Sequence, residues 1–109
     1  MSAPAIGALR HRLTLEAPVD VDDGAGGFQR DFAAVTTIWG ALAPVRAADR
    51  FAAGRNEWSL THRVRLRMRG DVAPGCRLRL GPRVFLIHAA QALDARAAFL
   101  VCDCEEIVT

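Results

Sequence analysis

The stretch THRVRLRMRG, residues 61–70, alternates strictly between arginine and apolar side chains. Val64, Leu66 and Met68 occupy the positions between the arginines. A period of two is the repeat of a β-strand, in which successive side chains point to opposite faces. The stretch therefore predicts a half-buried strand with an arginine-covered outer face. The arginines are Arg63, Arg65, Arg67 and Arg69.

Five other segments have the composition of strands. In residues 9–18, Leu9, His11, Leu13 and Leu15 share one face, and proline is expected to end the strand at position 18. Residues 32–45, FAAVTTIWGALAPV, are β-branched and apolar on both faces, which predicts a long, well-buried strand. The remaining predicted strands cover residues 76–80, 83–93 and 99–108.

Two segments break this pattern. Residues 19–28, VDVDDGAGGF, are rich in Asp and Gly and predict a flexible acidic loop. Within residues 46–58, the spacing of Ala48, Phe51 and Ala52 predicts one short helix, followed by an exposed linker. About six strands with one short helix and long flexible loops indicate a mainly β protein, a small antiparallel β-barrel. The chain of 109 residues suits a single domain spanning 1–109.

The charge of the chain is unevenly distributed. All fourteen basic residues are arginines, and residues 60–83 have a net charge of +6 against −4 for the rest. Like charges on one face of a sheet repel each other, so an anionic partner would make the face easier to keep. Two kinds of anion fit this face: the phosphates of a nucleic acid and the carboxylates of another protein. The alternative is that the arginine face has no partner and is exposed to solvent. Arg77 and Arg79 are expected to extend the face across a hairpin.

The residues that usually carry enzyme or metal chemistry have other interpretations here. Alternation places Cys102 and Cys104 on the same face as Leu100, which favours core packing over zinc binding. An odd number of cysteines without a secretion signal indicates a reducing, cytoplasmic compartment. His11 and His88 fall at apolar-facing positions, and no nucleophile motif or phosphate-binding glycine loop is found. We expect no enzyme activity, no cofactor and no metal, and no apolar run reaches the ~20 residues of a membrane span.

The order of several short segments along the chain carries a family resemblance. The chain resembles the phage head–tail joining family, the head-closure or stopper proteins of long-tailed phages. Its alanine- and arginine-rich composition suits a prophage or a gene transfer agent. It departs from the family pattern at residues 52–57, AAGRNE, which lack the expected glutamines, and in the terminal CDCEEIVT. The segments that carry the resemblance are LRHRLTLEAPV, DDGAGGF, TTIWGALAPV, AADRFAAGR, THRVRLRMRG and GPRVFLIHAAQALDARAAFLVCDCEE.

The resemblance implies a β-barrel that assembles into a ring of six or twelve copies. The ring would lie between the portal–adaptor on the head side and the tail terminator on the tail side, with packaged double-stranded DNA in its channel and no membrane partner. It would assemble in the host cytoplasm, retain DNA and present a surface for tail attachment. The family analogy places the channel gate in residues 46–57. The candidate gate residues are Arg46, Arg50, Arg55 and Asn56.

A DNA conduit changes the interpretation of the arginine strand. Arginines that line a channel would bind phosphates strongly and oppose sliding. We therefore expect the strand to face a neighbouring subunit or ring rather than the lumen. The expected carboxylate partners are Asp20, Asp22, Asp23, Glu105 and Glu106 of a neighbour. Two alternatives remain open: a tail-completion or tail-terminator protein, and a stand-alone nucleic-acid-binding barrel, although the latter usually presents more aromatic residues than this chain contains.

Overall fold

A computed structural model of the chain describes residues 9–46, 59–93, 95–96 and 98–107. Six antiparallel strands form one closed sheet in the order β1-β2-β3-β6-β5-β4. The strands are β1 His11–Asp22, β2 Phe28–Pro44, β3 His62–Arg67, β4 Arg77–Leu80, β5 Arg83–Ala92 and β6 Phe99–Ile107. The predicted mainly β, six-stranded architecture is confirmed.

The described residues contain no helix. The short helix predicted within residues 46–58 lies almost wholly outside the described residues, which stop at Arg46 and resume at Ser59. In the part of the chain that the structure describes, no helix is long and apolar enough to cross a membrane.

The inner faces of the strands form one hydrophobic core. Alternate residues of each strand point inward, so the core collects side chains from all six strands. The largest fully buried side chains are Phe85, Leu13, Leu15, Leu66, Leu78, Ile87, Val64, Cys102 and Cys104. The predicted inner face of the first strand is confirmed at Leu13 and Leu15 of β1 and at Leu9 just before it, whereas His11 is only half-buried.

Gly40 allows β2 to approach the core closely. A Cβ atom at this position would lie 2.7 Å from Leu13 Cδ1 and 2.8 Å from Leu66 Cδ2. Both leucines are fully buried in the core, so an added Cβ would have to displace them. Gly40 thus sets the spacing between β1, β2 and β3 at the point where the last two strands begin to pair.

The β1–β2 hairpin is longer than the barrel that it helps to build. Strand β4 accompanies β1 only at residues 14–16, and β3 accompanies β2 only at residues 40–44. Residues 17–22 and 28–34 therefore pair only with each other among the described strands. We call this two-stranded extension, residues 17–34, the arm. The principal-axis extents of the molecule are 50 × 30 × 27 Å.

The arm corrects three predictions. The acidic segment 19–28 is mostly strand, because β1 continues to Asp22 and β2 begins at Phe28. Pro18 does not end β1, because that part of β1 has no second neighbour that would need its N–H. Residues 32–45 are not a well-buried strand: Val35 and Trp39 are exposed, since half of β2 belongs to the arm or faces outward.

A β-bulge marks the base of the arm. Leu15 pairs with Thr36 and Glu16 pairs with Ala34, so Val35 is the extra residue on β2. Such an insertion bends a strand and increases its twist. The bulge lies where the hairpin leaves the closed sheet and so contributes to the direction of the arm.

Candidate interface surfaces

The arginine row of β3 occupies the outer surface of the sheet. Val64 and Leu66 point inward and are fully buried, so the alternating Arg63, Arg65 and Arg67 face outward. Strand β3 ends at Arg67, and Arg69 lies beyond it. The predicted one-faced row is therefore confirmed for the three arginines within the strand.

Two arginines of this segment have carboxylate partners in their own chain. Arg63 lies opposite Asp103 in the β3–β6 ladder, and its Nε–H donates to Asp103 Oδ1 at 3.1 Å. Arg69 donates to both oxygens of Asp71, with Nε–Oδ1 at 2.9 Å and Nη2–Oδ2 at 3.0 Å. The hydrogen bonds between Arg69 and Asp71 are the main cause of a lowered pKa at Asp71 and a raised pKa at Arg69.

Arg77 and Arg79 do not extend the β3 row. Strand β4 pairs with β1 and β5, whereas β3 pairs with β2 and β6, so the two arginine-bearing strands lie apart in the closed sheet. The expectation of a β3–β4 hairpin was wrong because residues 68–76 form a connection between strands that are not neighbours. The basic segment 60–83 therefore divides into separate surfaces.

The carboxylate of Glu16 accepts hydrogen bonds from both arginines of β4. Arg77 lies opposite Glu16 in the ladder, and its Nε–H donates to Glu16 Oε1, while Arg79 Nε–H donates to Oε2 at 3.1 Å. Burial of the Glu16 carboxylate would raise its pKa, but the hydrogen bonds and charges of the two arginines outweigh burial and lower the pKa. Glu16 is the one charged residue that is buried among those described.

Arg77 also contacts the arm. Its guanidinium lies 4.0 Å from the centre of the Phe32 ring, which is a cation–π contact. Phe32 pairs with Pro18 in the arm, so Arg77 connects β4 to the first residues of the extension. We call Glu16, Phe32, Arg77 and Arg79 the arm-base cluster. It fixes the base of the arm to the barrel.

The arm presents aromatic and acidic side chains together. Phe28 is 75% exposed and pairs with Asp22, so the two side chains project from the same face. Asp20 and Arg30 form an exposed pair at 3.5 Å on that face. Asp31 adds a further acidic group, and the arm as a whole carries a net charge of −3.

The aspartates of the arm tip also shape the turn. Asp22 Oδ1 accepts a hydrogen bond from Gly24 N–H at 2.9 Å, and Asp23 Oδ1 accepts from Ala25 N–H at 2.8 Å. Gly24 adopts a φ of +79°, a conformation that favours glycine. Asp20, Asp22 and Asp23, predicted as interface residues, are therefore exposed at the end of a projecting hairpin.

A cleft opens where β2 and β3 separate. The ladder between them ends at the Gly40–Leu66 pair, and the cleft beyond it has a volume of about 460 Å³. Trp39 is 54% exposed at its edge, and the guanidinium of Arg12 lies 5.9 Å from the Trp39 ring. The cleft is lined by Leu9, Thr37, Ile38, Trp39, Leu66, Arg67 and Arg69.

A polar cluster lies at the end of the sheet opposite the arm. Arg83 donates to both oxygens of Glu106, at 2.8 and 3.0 Å, which is the main cause of a lowered pKa at Glu106. The ring of His62 stands edge-on to Phe85, with centroids 5.0 Å apart. Glu105, the other predicted interface acid, contacts His88 at 3.1 Å. Both glutamates thus have a partner within the chain.

The gate residues lie mostly outside the described residues. Arg46 is exposed, whereas Arg50, Arg55 and Asn56 are not described. The strands on either side of the segment are joined by a hydrogen bond from Val45 N–H to the Thr61 carbonyl at 2.9 Å. The segment therefore leaves and rejoins the sheet at the end occupied by the polar cluster.

The three cysteines belong to the core. Cys102 and Cys104 are fully buried and Cys76 nearly so, which confirms the predicted packing role of the first two. Burial is the main cause that raises the pKa of Cys102 to about 12, and it also raises that of Cys104. In the described part of the chain, no group of three or more His, Cys, Asp or Glu side chains is arranged to hold a metal ion.

Comparison with known proteins identifies the family. The family model of the phage head completion protein matches residues 4–107. The chain belongs to the phage head completion protein family. A search of curated proteins found no match.

Two solved structures have folds similar to that of this chain. The solution structure of protein SF1141 from Shigella flexneri 2a is 26% identical, with a TM-score of 0.74 over 94% of this chain and 96% of that one. A chain of the virion of a native gene transfer agent particle is 28% identical, with a TM-score of 0.65 over 92% of this chain and 96% of that one. The resemblance stated from the sequence is confirmed.

Sequence reasoning missed three residues that shape these surfaces. Phe28 was assigned to a loop, whereas it begins β2 and is 75% exposed. Trp39 was expected to be buried within an apolar strand. Glu16 is buried because Arg77 and Arg79 of β4 lie beside it, a neighbour that alternation along β1 does not reveal.

Proposed function

We propose that this protein is a structural head-completion component of the stopper type, which catalyses no reaction and needs no cofactor. It forms a ring of six or twelve copies between the portal–adaptor and the tail, retains packaged DNA and provides the surface to which the tail attaches. The observation that carries the proposal is the match of the head completion family over residues 4–107. The similarity to a chain in a gene transfer agent virion supports a place in a phage or phage-like particle at the head–tail junction, after assembly in the host cytoplasm.

The distribution of surfaces supports ring formation. The arm and the cleft are different in shape and charge and belong to different parts of the fold. When two unlike surfaces of one protein bind each other, the contact is head-to-tail, and repeated contacts of this kind close into a ring if the rotation permits. A protein with only one self-complementary surface would instead form a dimer.

The pairing of the arginines with carboxylates of the same chain supports a conduit through which DNA slides. Within the described residues, Arg63, Arg69, Arg77, Arg79 and Arg83 already have carboxylate partners. An arginine that is bound to a carboxylate contributes less to phosphate binding, because the ion pair must be broken or shared. These pairs favour an assembly role for the basic segment over a strong grip on nucleic acid.

The β2–β3 connection is the proposed gate. It includes Arg46, Arg50, Arg55 and Asn56, and it leaves the sheet beside a hydrogen-bonded pair, Val45 and Thr61, that holds its two ends together. Deletion of residues 53–57 should leave the barrel folded and release DNA from filled heads. Unchanged DNA retention in otherwise complete particles would contradict the gate proposal.

Complementation of particles tests the main proposal. Heads produced without this protein should be filled but tailless and should lose DNA to nuclease. Addition of the purified protein should restore nuclease protection and tail attachment, as counted by electron microscopy, and a ring should be visible on purified portal–adaptor. Binding to tail tubes instead of portal–adaptor would identify a tail terminator, and a salt-sensitive gel shift by the isolated protein without particle rescue would identify a nucleic-acid-binding barrel.

A further inference from the structure

The arm tip and the cleft have complementary chemistry. The tip presents one large exposed aromatic side chain, Phe28, with Asp22 directly opposite it on the same face. The cleft presents an apolar floor with arginines at its edge, and no carboxylate lines it among the described residues. An aromatic anchor beside an acid therefore matches an apolar pocket beside a base, in both polarity and sign of charge.

Arg67 is the cleft arginine best placed to meet an outside acid. It is exposed at the end of β3, and among the described residues no carboxylate lies within ion-pair distance of it. Its neighbour Arg69 is bound to Asp71 and so contributes less positive charge. Trp39, on the opposite side of the cleft, adds an exposed ring against which another aromatic side chain can pack.

We propose that the arm of one copy inserts Phe28 into the cleft of the adjacent copy, with Asp22 meeting Arg67 at the edge. This inference rests on the proposed ring and specifies its subunit interface. The occupant of the cleft is a second copy of this chain, because the matching aromatic and acidic groups are both found on the arm. The contact joins unlike surfaces, as a ring requires.

The arm has the length and the fixed direction that this contact needs. Residues 17–22 extend past the barrel, which corresponds to about 20 Å at ~3.3 Å per residue. The cleft and the arm both lie towards the same end of the sheet, so adjacent copies with parallel axes can bring them together. The arm-base cluster holds the arm to β4 before binding, so less ordering is required when the contact forms.

Cross-linking in assembled particles tests the contact. The variant Q29C/T37C places one thiol beside Phe28 and one in the cleft, while the three native cysteines are buried and serve as silent background. Within one chain the two new thiols are separated by about 26 Å of extended strand, which a short bismaleimide cannot span. We expect a ladder of covalent oligomers on denaturing gels when the variant is incorporated into particles. Complete particles that give only monomers would overturn the inference.

Two further variants separate the anchor from general effects on the arm. In the Q29C/T37C background, Phe28→Ser should reduce the cross-linked product about tenfold or more, as expected for loss of an aromatic anchor. Val19→Ser is the matched control, since Val19 is an exposed apolar residue of the arm but lies on the face opposite Phe28. Equal ladders from both variants would show that Phe28 is not the anchor.

The outcomes distinguish this inference from the proposed function. Particles that retain DNA and carry tails but give no ladder leave the head-completion role intact and reject the arm–cleft contact. Failure of the unmodified protein to rescue particles rejects the head-completion role. If the unmodified protein fails to rescue particles but the isolated Q29C/T37C variant still forms a ladder of cross-linked oligomers, the arm–cleft contact between copies is supported without the head-completion role.

Discussion

Arg77 lies directly opposite Glu16 across the β1–β4 ladder and, while bound to its carboxylate, covers the ring of Phe32 at 4.0 Å. One arginine thus links the barrel wall to the arm. The contact also shows how part of the basic segment is neutralised within the chain. The carboxylate that binds Arg77 and Arg79 belongs to Glu16 of β1. The attachment of the arm to the barrel therefore depends in part on this one side chain.

Replacement of Glu16 by glutamine should destabilise the fold. It leaves Arg77 and Arg79 without their carboxylate in a partly buried setting, and hydrogen bonds to charged groups are worth ~1.5–3 kcal/mol. Urea unfolding should show a loss of about 2 kcal/mol. The control Arg30→Gln removes an exposed pair with Asp20 and should cost at most about 1 kcal/mol. Equal losses would mean that the arm-base cluster is not a special support.

Stability should fall in acid, partly through Glu16. Its pKa in the folded protein is below the ordinary 4.5, so on acidification the unfolded chain takes up a proton before the folded one does. The stabilisation is complete above about pH 4.5 and is lost as the pH falls towards the folded pKa. Asp71 and Glu106, whose pKa values are also lowered, act in the same direction. Unfolding measured from pH 7 to pH 3 should show a shallower decline in Glu16→Gln than in the unmodified protein.

Addition of a methyl group at Gly40 should disturb the core. Its Cβ would meet the fully buried Leu13 and Leu66 at under 3 Å, and overpacking of this kind costs ~1–3 kcal/mol. Gly70→Ala is the matched control, because no atom lies within 4 Å of its added Cβ. Thermal unfolding should show a lower Tm for the first variant only. A Tm equal to that of the control would show that the leucines move aside without penalty.

The native cysteines should be unreactive in the folded protein. Burial removes all three thiols from solvent and raises the pKa of Cys102 to about 12, so at pH 8 the reactive thiolate is rare. A thiol reagent should label the protein only on addition of denaturant, when all three sites become available. Rapid native labelling would contradict their place in the core and would also remove the silent background for cross-linking.

Replacement by glutamine of Arg63 and of Arg67, two arginines of β3, should have different effects on stability and on assembly. Arg63→Gln leaves Asp103 without its cross-strand partner and should lower the free energy of unfolding. Arg67→Gln should leave unfolding nearly unchanged, because Arg67 is exposed and has no ion pair among the described residues. Arg67→Gln should instead reduce cross-linking and particle completion. The opposite pattern would place the assembly contact at Arg63.

The period of two in residues 61–70, together with similar alternation in the first strand, determined most of the architecture. Alternation decides which side chains enter the core, so Leu13, Leu66 and Cys102 could be assigned to it from the sequence alone. The ordered set of segments likewise identified the family before any strand was paired. These features are local, since they depend on neighbours along the chain.

The partners of the charged residues and the length of the hairpin were decided by the tertiary structure. Whether Arg77 neighbours Arg67 or Glu16 depends on the order of strands in the closed sheet, which adjacent segments do not encode. Whether Phe32 and Trp39 are buried depends on how far β3 and β4 accompany the first hairpin. Burial and ion pairing are properties of contacts between distant segments. The sequence therefore determined that there are six strands and which residues of β1, β3 and β6 enter the core, whereas only the folded sheet determined how far the first hairpin extends and which surfaces remain for assembly.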